Sequence, residues 1–333
     1  MHSVLTMKPR TMILALTLSL GASLAAEETP LPAYEAARSL AGTLRIWGPA
    51  GMAAVTKSWA EGFRRVQPGV ELEFTLNGSA TAIPGIYSGQ ADLALLGREN
   101  NITDDNGFSR PMGYKPRRFE LMTGSLNVPG QTNALVVFVH RDNPLARLSL
   151  AQLDALFGHE HRRGLPNIRT WGQLGLTGEW AEQPIRLYGY DAETGTGRYF
   201  QKAVLGGSRK MNWENFREFK DVIRPDGAMV RSAAQSIEAL RADRYGLAVG
   251  CLSFATPDVK AVALAAEEGG PAYPATRETL VARQYPLTRL TYVFVNQPPG
   301  TALEPKAREF LRYLFSREGQ ADIIRAGGYL PLN

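Results

Sequence analysis

Four loops of this sequence place glycine beside small or hydroxyl-bearing residues where a strand ends and a helix begins. Free N–H groups in the first turn of a helix carry a partial positive charge and bind oxyanions. The hydroxyls of Ser79, Thr81, Thr194 and Thr196 can add uncharged donors. One such loop is ordinarily a capped helix and nothing more, whereas four together predict an anion site. The loops are Gly48-Pro49-Ala50-Gly51, Asn77-Gly78-Ser79-Ala80-Thr81, Gly97-Arg98 and Thr194-Gly195-Thr196-Gly197.

Charged residues next to these loops extend the prediction. We expect Arg98 to bind the anion, because a guanidinium donates two parallel hydrogen bonds and stays protonated at any relevant pH. A surface arginine paired with Glu99 is the alternative. Asp191 or Glu193 could accept a proton from a protonated oxyanion, or could be solvated loop carboxylates.

The loops need a scaffold, and the hydrophobic pattern predicts one in which strands alternate with helices. That alternation indicates a mainly parallel α/β sheet, in which ligands bind outside the carboxyl ends of the strands. By contrast, residues 99–130 carry several Gly and Pro and predict an irregular surface excursion. The predicted strands cover 43–47, 70–76, 91–96, 134–140, 185–188, 246–252 and 290–296, and the predicted helices 52–66, 81–88, 150–157, a stretch after 195, and 302–326.

The composition fits a globular chain with enough apolar residues for two lobes. Of 333 residues, 44% are hydrophobic, and 37 Lys and Arg against 32 Asp and Glu give a formal charge of +5. The basic residues are scattered, without an aromatic-basic stripe, so we expect no nucleic-acid partner. The small positive excess is weak support for an anionic ligand.

The amino terminus predicts export. Lys8 and Arg10 precede an apolar run over 12–20 and small residues up to Ala26, the layout of a cleavable signal peptide over 1–26. A retained membrane anchor is the alternative. The single cysteine, Cys251, excludes a disulfide within the chain and a lipid-bearing cysteine at the cleavage site. We therefore expect a periplasmic protein.

We expect no catalytic residue, metal or cofactor. Residues 51–58 come near a nucleotide P-loop, but Thr56 stands where the second glycine is required. His159 and His161 lack the i, i+4 spacing of a zinc helix, and no Gly-x-Ser-x-Gly elbow is present.

Eight segments, in order over most of residues 43–333, resemble periplasmic phosphate-binding proteins of the PstS type. They are SWAEGFRRVQPGVELEF, NGSATA, SGQADLALLGRE, RDNPLARLSLAQLDALF, DAETGTGRYFQKAVL, RYGLAVGCLSF, YPLTRLTYVFVN and AGGYLPL. The resemblance implies a type II periplasmic-binding-protein fold that holds dehydrated phosphate between two lobes.

By that resemblance, the family's ligand-binding loops fall on specific residues of this chain. The first loop falls on Ala50 and Gly51, Gly-Ser-Gly on Gly78, Ser79 and Ala80, Ser-Arg on Gly97 and Arg98, and Ser-Gly-Thr on Thr194, Gly195 and Thr196. This chain departs from the family pattern at three positions of the site. A hydroxyl is missing from the first loop, Gly97 replaces the serine before Arg98, and Tyr190 replaces an arginine that often precedes Ser-Gly-Thr.

The resemblance also implies an organisation and a role. Lobe one would comprise about 43–135 and 285–333, lobe two about 136–284, with a hinge near Ala134 and Tyr285. A monomer would capture phosphate or a similar small oxyanion and deliver it to a membrane ABC permease or sensor. Two alternatives stay open: an exported hydrolase of phosphate esters using the same cleft, and an adhesive or regulatory protein with weak or no phosphate binding.

Overall fold

A computed structural model describes residues 31–332, so the predicted signal peptide lies outside the described residues. The strands in this range are β1 Gly42–Trp47, β2 Val70–Thr75, β3 Leu93–Leu96, β4 Arg117–Thr123, β5 Val136–His140, β6 Arg147–Ser149, β7 Arg186–Tyr190, β8 Phe216–Phe219, β9 Val222–Ile223, β10 Met229–Val230, β11 Gly246–Gly250, β12 Val259–Ala261, β13 Ala263–Ala265, β14 Ala272–Tyr273 and β15 Leu290–Val295. The α-helices are α1 Ala53–Val66, α2 Ser79–Tyr87, α3 Ile102–Met112, α4 Leu150–Phe157, α5 Gly195–Val204, α6 Ser232–Arg241, α7 Arg277–Val281, α8 Pro305–Leu314 and α9 Arg317–Ala326. None of these helices is long and apolar enough to cross a membrane.

Two five-stranded sheets carry the fold. The first has the order β2-β1-β3-β15-β4 and the second the order β12-β5-β11-β7-β8. Each sheet has two parallel and two antiparallel pairings, so parallel pairing is less dominant than the alternation predicted. The antiparallel pairings involve β5 and β15, the strands that follow the two passages of the chain from one sheet to the other.

Both faces of the first sheet are covered by helices. Along β3, Leu93 and Leu95 pack with α1, α8 and α9, while Ala94 and Leu96 pack with α2 and α3. Successive side chains of a strand point to opposite faces, so two cores form on one sheet. The second sheet is built alike, with a large core against α4 and α5 and a smaller one against α6.

The prediction of an irregular excursion over 99–130 is wrong, because this stretch contains α3 and the edge strand β4. Asn101 caps α3: its side chain accepts hydrogen bonds from the N–H groups of Thr103 (2.8 Å) and Asp104 (3.0 Å). Asp104 in turn accepts from the N–H of Asn101 at 2.9 Å, completing a capping box. Polar capping, rather than an apolar stripe, therefore starts this helix.

The two passages between the sheets lie side by side. The N–H of Leu135 donates to the carbonyl of Leu287 at 3.2 Å, and the hydroxyl of buried Tyr285 donates to the carbonyl of Leu135 at 2.9 Å. These contacts lie next to the predicted hinge positions, Ala134 and Tyr285. The hinge motion and the lobe boundaries stay predictions.

Candidate functional site

Six of the predicted ligand residues line one crevice of about 260 Å³. They are Gly51, Ser79, Arg98, Thr194, Gly195 and Thr196. Loops at the ends of first-sheet strands thus meet the start of α5, which follows a second-sheet strand. The crevice is completed by Pro49, Gly97, Gly130, Gln131, Thr132, Arg289 and Tyr329.

The other three predicted residues are in the same loops but outside the lining of this crevice. Ala50 begins a short 3-10 turn and is exposed, Gly78 is the N-cap of α2, and Ala80 is an exposed residue of its first turn. A ligand role for any of the nine residues stays a prediction.

The amino terminus of α5 presents free amides to the crevice. The N–H groups of Gly195 and Thr196 belong to the first turn and have no partner inside the helix. Thr194 caps the helix: its hydroxyl accepts from the N–H of Gly197 at 3.1 Å and donates to the carbonyl of Asp191 at 2.8 Å. The proton of Thr194 is therefore committed to the fold, and the donors that remain are the two amides and the Thr196 hydroxyl.

Ser79 supplies a second free hydroxyl proton. Its oxygen accepts a hydrogen bond from the N–H of Gly97 at 3.2 Å, which orients the group and leaves the O–H able to donate. Thr81 differs, because its hydroxyl donates to the carbonyl of Gly78 at 2.9 Å within the turn. Of the two hydroxyls in this loop, Ser79 is the one available to a ligand.

Two glycines of the crevice are required by close packing. A Cβ atom at Gly97 would lie 2.8 Å from the hydroxyl oxygen of Thr132, which is buried and donates to the carbonyl of Gly97. A Cβ atom at Gly51 would collide with the carbonyl oxygen of Gly130. The Gly130–Thr132 segment thus occupies the space that side chains at positions 51 and 97 would take, which gives a steric reason for glycine at both positions.

Arg98 lines the crevice, but its charge is already compensated. Its guanidinium forms two parallel hydrogen bonds with the carboxylate of Asp104, at 2.5 and 3.0 Å. It also donates to the backbone carbonyl of Glu99 at 3.0 Å. The side chains of Arg98 and Asp104 are largely buried, 17% and 8% exposed respectively. The partner of Arg98 is thus Asp104, and not the Glu99 carboxylate that the sequence offered as the alternative.

Arg289 is a second buried arginine in the crevice, which sequence reasoning missed. It is only 4% exposed and donates a hydrogen bond to the hydroxyl of Thr196 at 3.2 Å. Its guanidinium lies 3.5 Å from the carboxylate of Glu99 and 5.0 Å from the ring centre of Tyr199. The available signal was an arginine directly before the apolar strand β15, inside the segment YPLTRLTYVFVN.

The two carboxylates considered as proton acceptors lie elsewhere. Asp191 is buried, accepts from the N–H of Glu193 at 2.9 Å and lies 3.4 Å from the ammonium group of Lys220. Glu193 is exposed and pairs with Arg198 at 2.7 Å. Neither lines the crevice, so Asp191 serves the loop and Glu193 is solvated.

A second cavity of about 290 Å³ adjoins the crevice and shares Thr194, Thr196 and Arg289 with it. Tyr190 lines this cavity, where the family often has an arginine, and burial raises the pKa of its hydroxyl well above the ordinary value, so it stays neutral. Burial opposes ionisation of Asp221 at the same cavity, but hydrogen bonds from the backbone of Ser232 and from Arg231 outweigh it and lower its pKa. The adjoining cavity therefore carries an ionised carboxylate and a neutral phenol.

Between residues 31 and 332, no group of three or more His, Cys, Asp or Glu side chains could hold a metal ion. In the His159 to His161 segment, Glu160 pairs with Arg162 and Lys210, each at 2.7 Å. These ion pairs explain the charged residues of this loop without a metal.

Known proteins resemble this chain both in sequence and in fold. Residues 33–318 match the profile of the PBP superfamily domain. The chain is 32% identical to the phosphate-binding protein PstS of Pseudomonas aeruginosa, over 98% of this chain and 96% of that protein.

Solved structures extend the likeness to the fold. PstS of Borrelia burgdorferi superposes with a TM-score of 0.57 at 16% identity, covering 87% of this chain and 99% of that one. A putative phosphate ABC transporter substrate-binding protein from Clostridium perfringens, solved with bound phosphate, has a TM-score of 0.51 at 17% identity. It covers 88% of this chain and all of that one.

Proposed function

The chain belongs to the PBP superfamily and, within it, to the PstS family, and from that premise we propose that it binds phosphate in the crevice between its two sheets. The relative from Pseudomonas aeruginosa, similar over almost its whole length, carries the name of a phosphate-binding protein. Phosphate is therefore the first ligand to test, ahead of other small oxyanions.

The convergence of free donors from separate parts of the chain is the observation that carries this proposal. The hydroxyl of Ser79, the hydroxyl of Thr196 and the first amides of α5 all border the same 260 Å³ space. Each of them donates without fixed charge, and each hydrogen bond to an anion is stronger than one between neutral groups. A tetrahedral oxyanion can accept from all of them at once.

We further propose that binding draws the parts around the two sheets together and that the loaded form serves a membrane partner. The Arg289–Thr196 hydrogen bond and the packing of the Arg98 side chain against Gly195 join the two parts at the crevice. A periplasmic monomer that hands its ligand to an ABC permease or sensor fits the family and the signal peptide expected over 1–26. A ligand role for the nine residues named from the sequence stays untested, and among them Ser79, Gly195 and Thr196 have donors free to bind the anion.

A ligand panel tests the proposal. Phosphate, phosphonates, sulfate, molybdate and small organic acids are added to protein dialysed free of anions, and the melting temperature is followed. A ligand that binds only the folded chain stabilises it by about 2.7 kcal/mol at 100 times its Kd. We expect phosphate to raise the melting temperature most. If phosphate causes no rise at millimolar concentration while another member of the panel does, that member is the ligand.

The two alternatives are separated from this proposal by direct assays. A hydrolase of phosphate esters would release phosphate from a model ester with or without added divalent metal. An adhesive or regulatory protein would show no heat of binding with phosphate in calorimetry. We expect no turnover and a measurable heat.

A further inference from the structure

Arg289 has unused hydrogen-bonding capacity in a buried position. A guanidinium carries five N–H donors, yet within residues 31–332 its side chain makes one hydrogen bond, to the hydroxyl of Thr196. Its Nε atom is buried without any partner there. Leaving such donors unpaired away from water is costly, and charged groups lose the most. The arrangement is thus incomplete without an acceptor in the crevice that Arg289 lines.

The nearest acidic group does not fill this role. The closest approach of the Glu99 carboxylate to the Arg289 guanidinium is 3.5 Å, and the same carboxylate oxygen is buried without a hydrogen bond. The two groups attract each other without satisfying each other. Tyr199 holds the guanidinium from one side, with its ring centre 5.0 Å away and its hydroxyl anchored to the carbonyl of Thr288 at 2.7 Å.

Arg98 contrasts with Arg289 on this point. Both hydrogen bonds of its fork are taken by Asp104, and the same carboxylate is held in the capping box of α3. Turning Arg98 toward a ligand would break that box and leave a buried carboxylate without its cation. Arg289 is bound more loosely, because its acidic partner Glu99 lies 3.5 Å away and accepts no hydrogen bond from it.

We propose that Arg289 is the cation that binds the oxyanion, and that the carboxylate of Glu99 is its partner when no anion is bound. The inference rests on the proposed function and adds a residue to its site. Because the Thr196 hydroxyl accepts from Arg289, its own proton is directed to another acceptor, so one guanidinium both binds the anion and positions a second donor. The anion and Glu99 then compete for Arg289.

Competition sets opposite signs for two substitutions, and calorimetry with inorganic phosphate measures both. Arg289→Gln removes a charge-assisted donor and weakens phosphate binding by about 10- to 150-fold. Glu99→Gln removes the competitor and tightens binding, by about fivefold if the pair is as strong as a good exposed ion pair. A purely structural role for the Arg289–Glu99 pair predicts a loss, or no change, for Glu99→Gln.

Matched variants control for charge and folding. Arg198→Gln removes one positive charge from the same region, at an arginine outside the crevice that pairs with exposed Glu193, and leaves the affinity within about twofold. Arg289→Lys keeps the charge without the fork and retains part of the affinity. Melting temperatures of all variants are recorded without phosphate.

The outcomes separate this inference from the proposed function. If the unaltered chain binds no phosphate, the proposed function fails and the inference fails with it. If the unaltered chain binds phosphate and Arg289→Gln binds it equally well, only the inference is overturned. Glu99→Gln binding phosphate more weakly than the unaltered chain, or equally well, overturns it as well, and this test does not depend on whether Arg289→Gln folds. Loss with Arg289→Gln and gain with Glu99→Gln support it.

Discussion

The contact between Gly97 and Thr132 predicts a rescue that no single substitution would show. In Gly97→Ala the new methyl group would lie 2.8 Å from the buried hydroxyl oxygen of Thr132, which already donates to the carbonyl of residue 97. Relief requires Thr132 to turn and give up that hydrogen bond, a steric cost of about 1–3 kcal/mol in the free energy of unfolding. Thr132→Ala alone loses the hydrogen bond, about 0.5–1.5 kcal/mol.

The double variant Gly97→Ala with Thr132→Ala removes the obstacle together with the hydrogen bond. It should therefore be more stable than the sum of the two single losses predicts, by about 1–3 kcal/mol, the clash that no longer occurs. Urea denaturation of the four proteins measures the coupling. Gly97→Ala with Thr132→Ser is the control, because serine keeps the hydroxyl oxygen and should give no rescue. Additive losses in the Ala–Ala pair, or equal rescue by serine, would refute the steric reasoning.

Three further expectations follow from the crevice and the folded core. Gly51→Ala forces a methyl group onto the carbonyl of Gly130 and should lower the free energy of unfolding by about 1–3 kcal/mol in urea titrations; an unchanged midpoint would contradict the close approach. Thr196→Val keeps the shape but loses the hydroxyl that could donate to the anion and that accepts from Arg289, so calorimetry should show phosphate binding weakened by at least about 0.5–1.5 kcal/mol, and the melting temperature should fall because a buried guanidinium loses its acceptor. For Asp243, burial opposes ionisation, but hydrogen bonds from Arg186 and Tyr188 lower its pKa below 3.8, so its contribution to stability is present above about pH 4 and lost as the pH falls through the lowered pKa. Asp243→Asn should accordingly cost about 1–2 kcal/mol at pH 7 and less at pH 3, and an equal deficit at both pH values would argue against this linkage.

Much of the fold could be predicted because its signals are local. The predicted two-lobed α/β class of the type II binding proteins is confirmed, and so are individual elements. Helix α4 has the bounds that its spacing predicted, since Ser149 caps it and an apolar face continues to Phe157. Strand β15 is an almost continuous apolar run that ends at Val295, one residue before the predicted end. Such elements bury nearly all their side chains, so burial and sequence pattern agree.

Elements that depend on polar contacts were missed because their sequences lack a continuous apolar pattern. Helix α3 contains Gly107 and Pro111 and few apolar residues, and its stability comes from the Asn101–Asp104 capping box and from packing on α2. Strand β4 begins with Arg117 and Arg118 on an exposed edge, so its pattern is not that of a core strand. The pairing partner of β4 is β15, which lies far away in the chain, where no local window can find it.

The sequence by itself determined where helices begin after strands, and therefore which loops could present amides and hydroxyls to an anion. Only the tertiary structure decided which charge faces the crevice. Arg98, the charge predicted from the sequence, turns to Asp104 six positions away because that carboxylate also caps α3. Arg289 reaches Thr196 across 93 positions because the chain returns to the first sheet beside α5. A side chain's hydrogen-bond partner is set by direction and distance in space, and sequence spacing carries neither for groups on separate elements.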